Sequence, residues 1–87
     1  MDFCEEVVSW LQQVINWLND VSSWLNGQWW LFGGQNWAIN EINSLITDIQ
    51  SWQTWIANNC DAIDEIDNVI NWVVQVVDWV SWVISLF

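Results

Sequence analysis

Lysine, arginine, histidine, proline and tyrosine are all missing from this chain. Without Lys or Arg it has no side chain to neutralise a phosphate, so nucleic-acid binding is not expected. Without His it lacks the usual general base and the commonest metal ligand. It also contains no nucleophile-and-base set, glycine-rich phosphate loop or metal-ligand spacing. We therefore predict that the protein is not an enzyme, and we expect no cofactor, metal or small-molecule substrate.

Acidic and apolar residues dominate what remains. Eleven carboxylates give a net charge of −11, hydrophobic residues make up 54% of the chain, and eleven residues are Trp. At 87 residues, positions 1–87 are expected to form one domain. A compact chain of this mass has roughly 5,000 Å² of surface, and each Trp can bury about 150–250 Å². A monomer is not expected to hide all of them, which predicts packing against further copies or against lipid.

A seven-residue repeat runs through the second half of the chain. Apolar residues at alternating spacings of three and four lie on one face of a helix, and a strict heptad is the seam along which helices pack lengthwise. Only Asn59 interrupts the companion series three residues later. The predicted helix seam consists of Ile42, Ile49, Ile56, Ile63, Ile70, Val77 and Ile84.

The first predicted helix covers about residues 2–26 and has a wide apolar face. Val, Trp and Leu each recur every seven residues there, as in Val7, Trp10 and Leu11. Such a face is wider than one partner helix needs, so it predicts neighbours on two sides. The Trp series could also be a stacking ladder for a pigment or sugar, but helix-spaced aromatics are more typical of a core or a subunit contact.

The segment 27–36 is predicted to be a loop. Asn26 and Gly27 both tolerate the left-handed conformation that ends a helix, and an apolar tip of two Trp, a Leu and a Phe follows. Because loops normally face water, this tip has two interpretations. It is a contact to a partner or to lipid, or it folds back and closes the end of the bundle.

Two architectures remain open for the rest of the chain. Helices over about 38–58 and 61–87 would be separated at residues 58–61, with Asp61 as a good N-cap and with acidic residues at helix starts. Alternatively, the unshifted heptad allows one continuous helix. The fold class is therefore all-α, a helical hairpin or a three-helix bundle with heptad, coiled-coil-like packing, and we expect it to self-associate.

Reversal of the chain near residue 32 brings Cys4 opposite Cys60 in either architecture. We predict a disulfide between them, which would close a large loop and favour an extracellular or particle-associated location, with a membrane location second. The same reversal gathers seven carboxylates at one end, where they are solvated, bind a divalent cation, meet a basic partner or become protonated at low pH. These are Asp2, Glu5, Glu6, Asp61, Asp64, Glu65 and Asp67.

The leading functional hypothesis is a homo-oligomeric structural subunit that assembles through Trp-rich helical faces into a filament, shell or other ordered oligomer. A membrane-inserted helical protein is the alternative, because residues 69–87 are long enough to span a bilayer, and a pore is one form it could take. A designed bundle without a natural function is the third. The predicted assembly contacts are Trp10, Trp17, Trp24, Trp29, Trp30, Trp72, Trp79 and Trp82.

Overall fold

A computed structural model describes residues 3–87 and contains three α-helices. Helix α1 is Phe3–Asn26, α2 is Asn36–Asn58 and α3 is Ile63–Leu86, with a short 3-10 turn at Trp29–Leu31. The all-α prediction is confirmed, and the chain breaks between α2 and α3 instead of continuing as one helix. Asp2, assigned above to the acidic group, lies outside the described residues.

Two short connections make the three helices run up, down and up. Each helix of 23 or 24 residues is about 35 Å long at 1.5 Å per residue, and helices joined by short loops pack antiparallel. The result is a rod of 47 × 18 × 17 Å. The end of α1, the first turn, the start of α2 and the end of α3 therefore lie at the same end of the rod.

The core follows heptad spacing in α1 and α2, which approach each other more closely than either approaches α3. Gln53 on α2 joins them by donating from Nε2 to the Val8 carbonyl oxygen at 3.2 Å and to Gln12 Oε1 at 3.1 Å. The buried residues of α1 are Cys4, Val7, Leu11, Val14, Ile15, Leu18, Val21 and Leu25. Those of α2 are Ala38, Ile39, Ile42, Leu45, Ile46, Ile49 and Ile56.

Helix α3 buries the companion series of the predicted heptad more deeply than the seam column itself. Ile63 is 47% exposed, while Ile70, Val77 and Ile84 are partly buried and pack at the edge of the core. The buried strip is Ile66, Val69, Val73, Val76, Val80 and Val83, of which Ile66, Val73 and Val80 belong to the companion series. The seam prediction is therefore wrong at Ile63. The turn after Asn58 separates the two helices, so the buried face of α3 is centred away from the seam column.

The turns also differ from expectation in their details. Helix α1 ends at Asn26 as predicted, but within the described residues the left-handed backbone occurs at Phe32 and Gly33, with φ of 53° and 83°. The N-cap position of α3 is Ala62, without a side-chain cap, so Asp61 is not the N-cap. It accepts a bond at its carbonyl oxygen from the Ile63 amide at 3.0 Å.

Gln35 closes the first turn from inside. It is buried, and its Nε2 donates to the carbonyl oxygens of Leu25 at 3.0 Å and Gln28 at 3.2 Å. Carbonyls at a helix C-terminus have no partner within the helix, so this side chain supplies one. Its own Oε1 is buried without a hydrogen-bond partner.

Candidate assembly surface

One end of the rod is stapled and acidic. Cys4 and Cys60 lie at disulfide distance and are bonded, with their Cα atoms 5.5 Å apart, which confirms the predicted pair. The bond ties the start of α1 to the turn between α2 and α3. It holds the bundle closed at the end farthest from the first turn.

The acidic end comprises the described carboxylates near this staple: Glu5, Glu6, Asp61, Asp64, Glu65 and Asp67. All six are exposed. Among residues 3–87, no group of three acidic or Cys side chains is arranged to hold a metal ion. The acidic end therefore offers a dense negative charge but no built cation site within the described part of the chain.

The opposite end of the rod is apolar. We define the aromatic end as the exposed large apolar residues at this end, which are Trp24, Trp29, Trp30, Phe32, Trp37, Trp82, Leu86 and Phe87. Ring contacts connect its elements: the ring centroids of Trp29 and Trp30 are 6.1 Å apart in an edge-on arrangement, and Trp37 lies 6.3 Å from Phe87. Edge-on and offset pairs at such distances are favourable aromatic contacts.

The tip of the aromatic end is held outward. Phe32 is 90% exposed, Trp29 is 76% exposed and Trp30 is 53% exposed, so the tip does not fold back to close the bundle. Phe32 also adopts a left-handed backbone, which is uncommon for a bulky residue and costs free energy. The neighbouring turn imposes this conformation, because the Phe32 amide donates to the Trp29 carbonyl oxygen at 3.1 Å.

The apolar area at this end is large for so small a protein. If a fully exposed aromatic side chain presents about 200 Å², the aromatic end as a whole exposes on the order of 900 Å². The largest apolar patch on a typical monomer is about 300–600 Å². The total accessible surface, 5357 Å², is ordinary for this mass. The unusual feature is therefore which residues occupy the surface, not how much surface there is.

The remaining predicted assembly residues line grooves along the rod. Trp10, Trp17, Trp72 and Trp79 are half-buried and pack against the core. The structure thus separates the predicted contacts into two groups. One group lies along the sides and consists of the four half-buried residues just named. The other is exposed at the aromatic end and consists of Trp24, Trp29, Trp30 and Trp82. The T-shaped pair of Trp37 and Trp79, with centroids 6.4 Å apart, links the two groups.

Helix α3 is the one described helix that is long and apolar enough to cross a membrane. An 18-residue window of this helix has a mean hydropathy of 1.5, and 28% of the window is buried in the bundle. A core helix of a soluble protein can pass the same test. Asp64, Glu65 and Asp67 lie in the first turns of α3, but Asp78 lies inside the apolar stretch, where a charge in a bilayer would be expensive.

Comparison of the chain with models of known protein families, with curated proteins and with solved structures gave no match. The assignment of function therefore depends on the residues and their arrangement.

Four residues of interest were not predicted from the sequence. Trp37, Leu86 and Phe87 belong to the aromatic end but were not among the predicted contacts, and Gln35 was expected in an open loop. For the first three a signal existed, because three helices of equal length return the end of the third to the level of the first turn. For Gln35 no pattern marks burial, since a single polar residue beside two glycines is typical of an exposed loop.

Proposed function

We propose that this protein is a structural subunit that self-associates, and that the aromatic end is its first contact. The observation that carries the proposal is the exposed apolar area of that end. Stable interfaces bury about 800 Å² on each partner, which the aromatic end can supply by itself. Trp is enriched at the centres of such interfaces.

The distribution of charge favours an end-to-end contact between two copies. Each subunit carries −11 without a compensating Lys, Arg or His, so like-charge repulsion opposes most arrangements. Two rods of 47 Å that meet at their aromatic ends place the acidic ends about 90 Å apart, many times the screening length of about 10 Å. A two-fold contact of this kind uses the same patch on both copies.

Larger assemblies need further contacts, and the grooves along the rod provide them. Trp10, Trp17, Trp72 and Trp79 are half-buried in one subunit and would be covered by a neighbour in a filament, shell or other ordered oligomer. Within the subunit, the buried heptads of α1 and α2 support coiled-coil-like packing.

The test is the particle mass of purified protein in detergent-free buffer, measured by light scattering and negative-stain imaging. Trp29→Ser should reduce association because it removes a side chain that is 76% exposed at the tip. Phe3→Ser is the control, since it replaces an exposed aromatic residue at the opposite end of the rod, outside the side grooves, and it should leave the mass unchanged.

A monomeric wild-type protein over the micromolar range would refute self-association. Equal effects of Trp29→Ser and Phe3→Ser would refute the aromatic end as the contact while leaving self-association standing. Circular dichroism on each variant separates lost association from lost folding.

Membrane insertion is the second candidate, and the length and hydropathy of α3 are the observations that favour it. It predicts that the protein needs detergent or lipid to stay in solution and floats with vesicles in a density gradient. The valine strip of α3 packs in the core of the bundle, so insertion would require the helix to leave that core. An assembled subunit should remain in aqueous buffer and should not float.

A further inference from the structure

Four grooves on the sides of the bundle share the same chemical composition. Each is lined by two Trp side chains and one carboxylate, together with apolar residues and, in three of them, an amide side chain. The carboxylates are Asp78, Glu65, Glu41 and Asp20. The same pairing recurs in two grooves between α1 and α3 and in two between α2 and α3, which suggests a common chemical capability.

Indole faces and carboxylates attract the same kind of ligand. The face of an indole ring is the most favourable aromatic partner for a cation, and a carboxylate adds the opposite charge. In most proteins a Lys or Arg side chain occupies such a place. This chain contains neither, nor His, so no side chain of its own can fill the grooves with positive charge.

The groove between α1 and α3 that is lined by Trp10, Trp17 and Asp78 has the most suitable arrangement for a cation. Trp10 and Trp17 lie one heptad apart on the same face of α1, and Asp78 and Val77 approach from α3. Both Trp side chains are half-buried against the core, so their rings are held in place, whereas Asp78 is exposed. The groove has a volume of about 280 Å³, close to the lower limit of about 300 Å³ for small-molecule pockets.

We propose that this groove binds small organic cations that carry an alkylated ammonium group, with the cation between the Trp10 and Trp17 rings and the Asp78 carboxylate. An alkylated ammonium suits the site because its methyl groups pack on the indole rings while its charge is satisfied by the ring faces and the carboxylate. Metal ions do not suit it, because the described residues contain no cluster of ligands for one. The proposal does not rest on the aromatic end, to which none of the three residues belongs. A side-by-side contact through Trp10 and Trp17 would cover the groove, so the site is open in the separated subunit and in the end-to-end dimer.

Saturation-transfer-difference NMR with choline tests the proposal, because the signals observed are those of the ligand. The protein is kept at a concentration at which light scattering shows nothing larger than the end-to-end dimer, so that the groove is uncovered. The matched ligand is 3,3-dimethylbutan-1-ol, which has the same shape as choline but no charge. Choline methyl protons should receive saturation from the protein, and the tert-butyl protons of the alcohol should receive much less. Sodium chloride at equal ionic strength serves as the background, because it screens diffuse attraction to the charge of −11.

Two variants locate the site. Asp78→Asn keeps the shape of the groove and removes its charge, and it should weaken choline binding about fivefold or more. Asp48→Asn is the matched control, since Asp48 is an exposed carboxylate on α2 outside the four grooves and its loss should leave binding unchanged. Trp17→Leu should remove most of the signal.

Equal saturation of choline and the neutral alcohol would overturn the proposal, because shape and not charge would then explain binding. Equal weakening by Asp78→Asn and Asp48→Asn would overturn it as well, since only diffuse attraction to a negative protein would remain. Absence of choline saturation in the wild-type protein would have the same meaning.

Discussion

Two isoleucines at the start of α3 show which face of that helix is buried in the bundle. The heptad of α2, continued through the turn, makes Ile63 a seam residue, whereas the structure exposes 47% of Ile63 and none of Ile66. The two side chains are identical and lie three residues apart on one helix. Ile63→Ala and Ile66→Ala therefore form a matched pair.

The expected magnitudes follow from burial. Truncating a fully buried Ile to Ala costs about 2–5 kcal/mol through lost transfer free energy and the cavity left behind. Full burial of an Ile side chain stabilises a protein by about 1.5–3 kcal/mol. Because Ile63 is half exposed and its truncation leaves no cavity, Ile63→Ala should lower the free energy of unfolding by about 1 kcal/mol. The helix propensity of Ala is also more favourable than that of Ile by a few tenths of a kcal/mol, about enough to reduce both losses slightly.

Thermal unfolding followed by circular dichroism measures the difference. In a domain of this size, 1 kcal/mol shifts the Tm by about 4–8 °C. We expect Ile66→Ala to lower the Tm by at least about 8 °C and Ile63→Ala by no more than about 8 °C, with the loss for Ile66 at least twice that for Ile63. All samples need one protein concentration, because association makes the Tm concentration-dependent.

Equal losses in the two variants would refute the docking of α3 described here. A larger loss for Ile63→Ala would show that Ile63 is the buried seam residue that the sequence predicts. Ile63→Asp and Ile66→Asp provide an independent check. The first puts a carboxylate in the first turn of a helix, where it is favourable, and the second buries an unpaired charge and should unfold the protein.

Two further predictions concern the ends of the rod. Replacing Cys4 and Cys60 together by Ser should lower the free energy of unfolding by about 4 kcal/mol, given a sequence separation of 56 residues. Chemical denaturation measures this loss. Free-thiol labelling of both cysteines in the native protein would show that the disulfide is absent and would refute the prediction. Phe32→Gly should relieve the strain of the left-handed backbone but increase the conformational entropy of the unfolded chain. These two effects oppose each other, so stability should stay within about 1 kcal/mol of wild type while the particle mass falls. Phe32→Ala keeps the strain and removes a side chain that is 90% exposed, so stability should again stay within about 1 kcal/mol of wild type while the particle mass falls. An unchanged mass in the two variants would show that the Phe32 ring makes no contact between subunits.

Much of the architecture could be read from the sequence because it depends on local spacing. A run of apolar residues at intervals of three and four specifies a helix whatever its partners are, and Gly27 and the Asn58–Asn59 pair mark where helices stop. The pairing of Cys4 with Cys60 followed from simple reversal of the chain, since segments equally distant from a turn must lie opposite each other. The structure bears out the all-α class and this pair.

Only the tertiary structure decided which faces meet. In α1 the Val7 and Leu11 columns are buried, and Trp10 and Trp17 of the neighbouring column pack at the edge of the core. In α3 apolar residues fill several heptad columns, including those of Ile63, Ile66 and Val69, so more than one face could dock. Which face is buried depends on the fit against α1 and α2. That fit is a property of residues distant in sequence. The burial of Gln35 likewise follows from its hydrogen bonds across the first turn, to the carbonyl oxygens of Leu25 and Gln28.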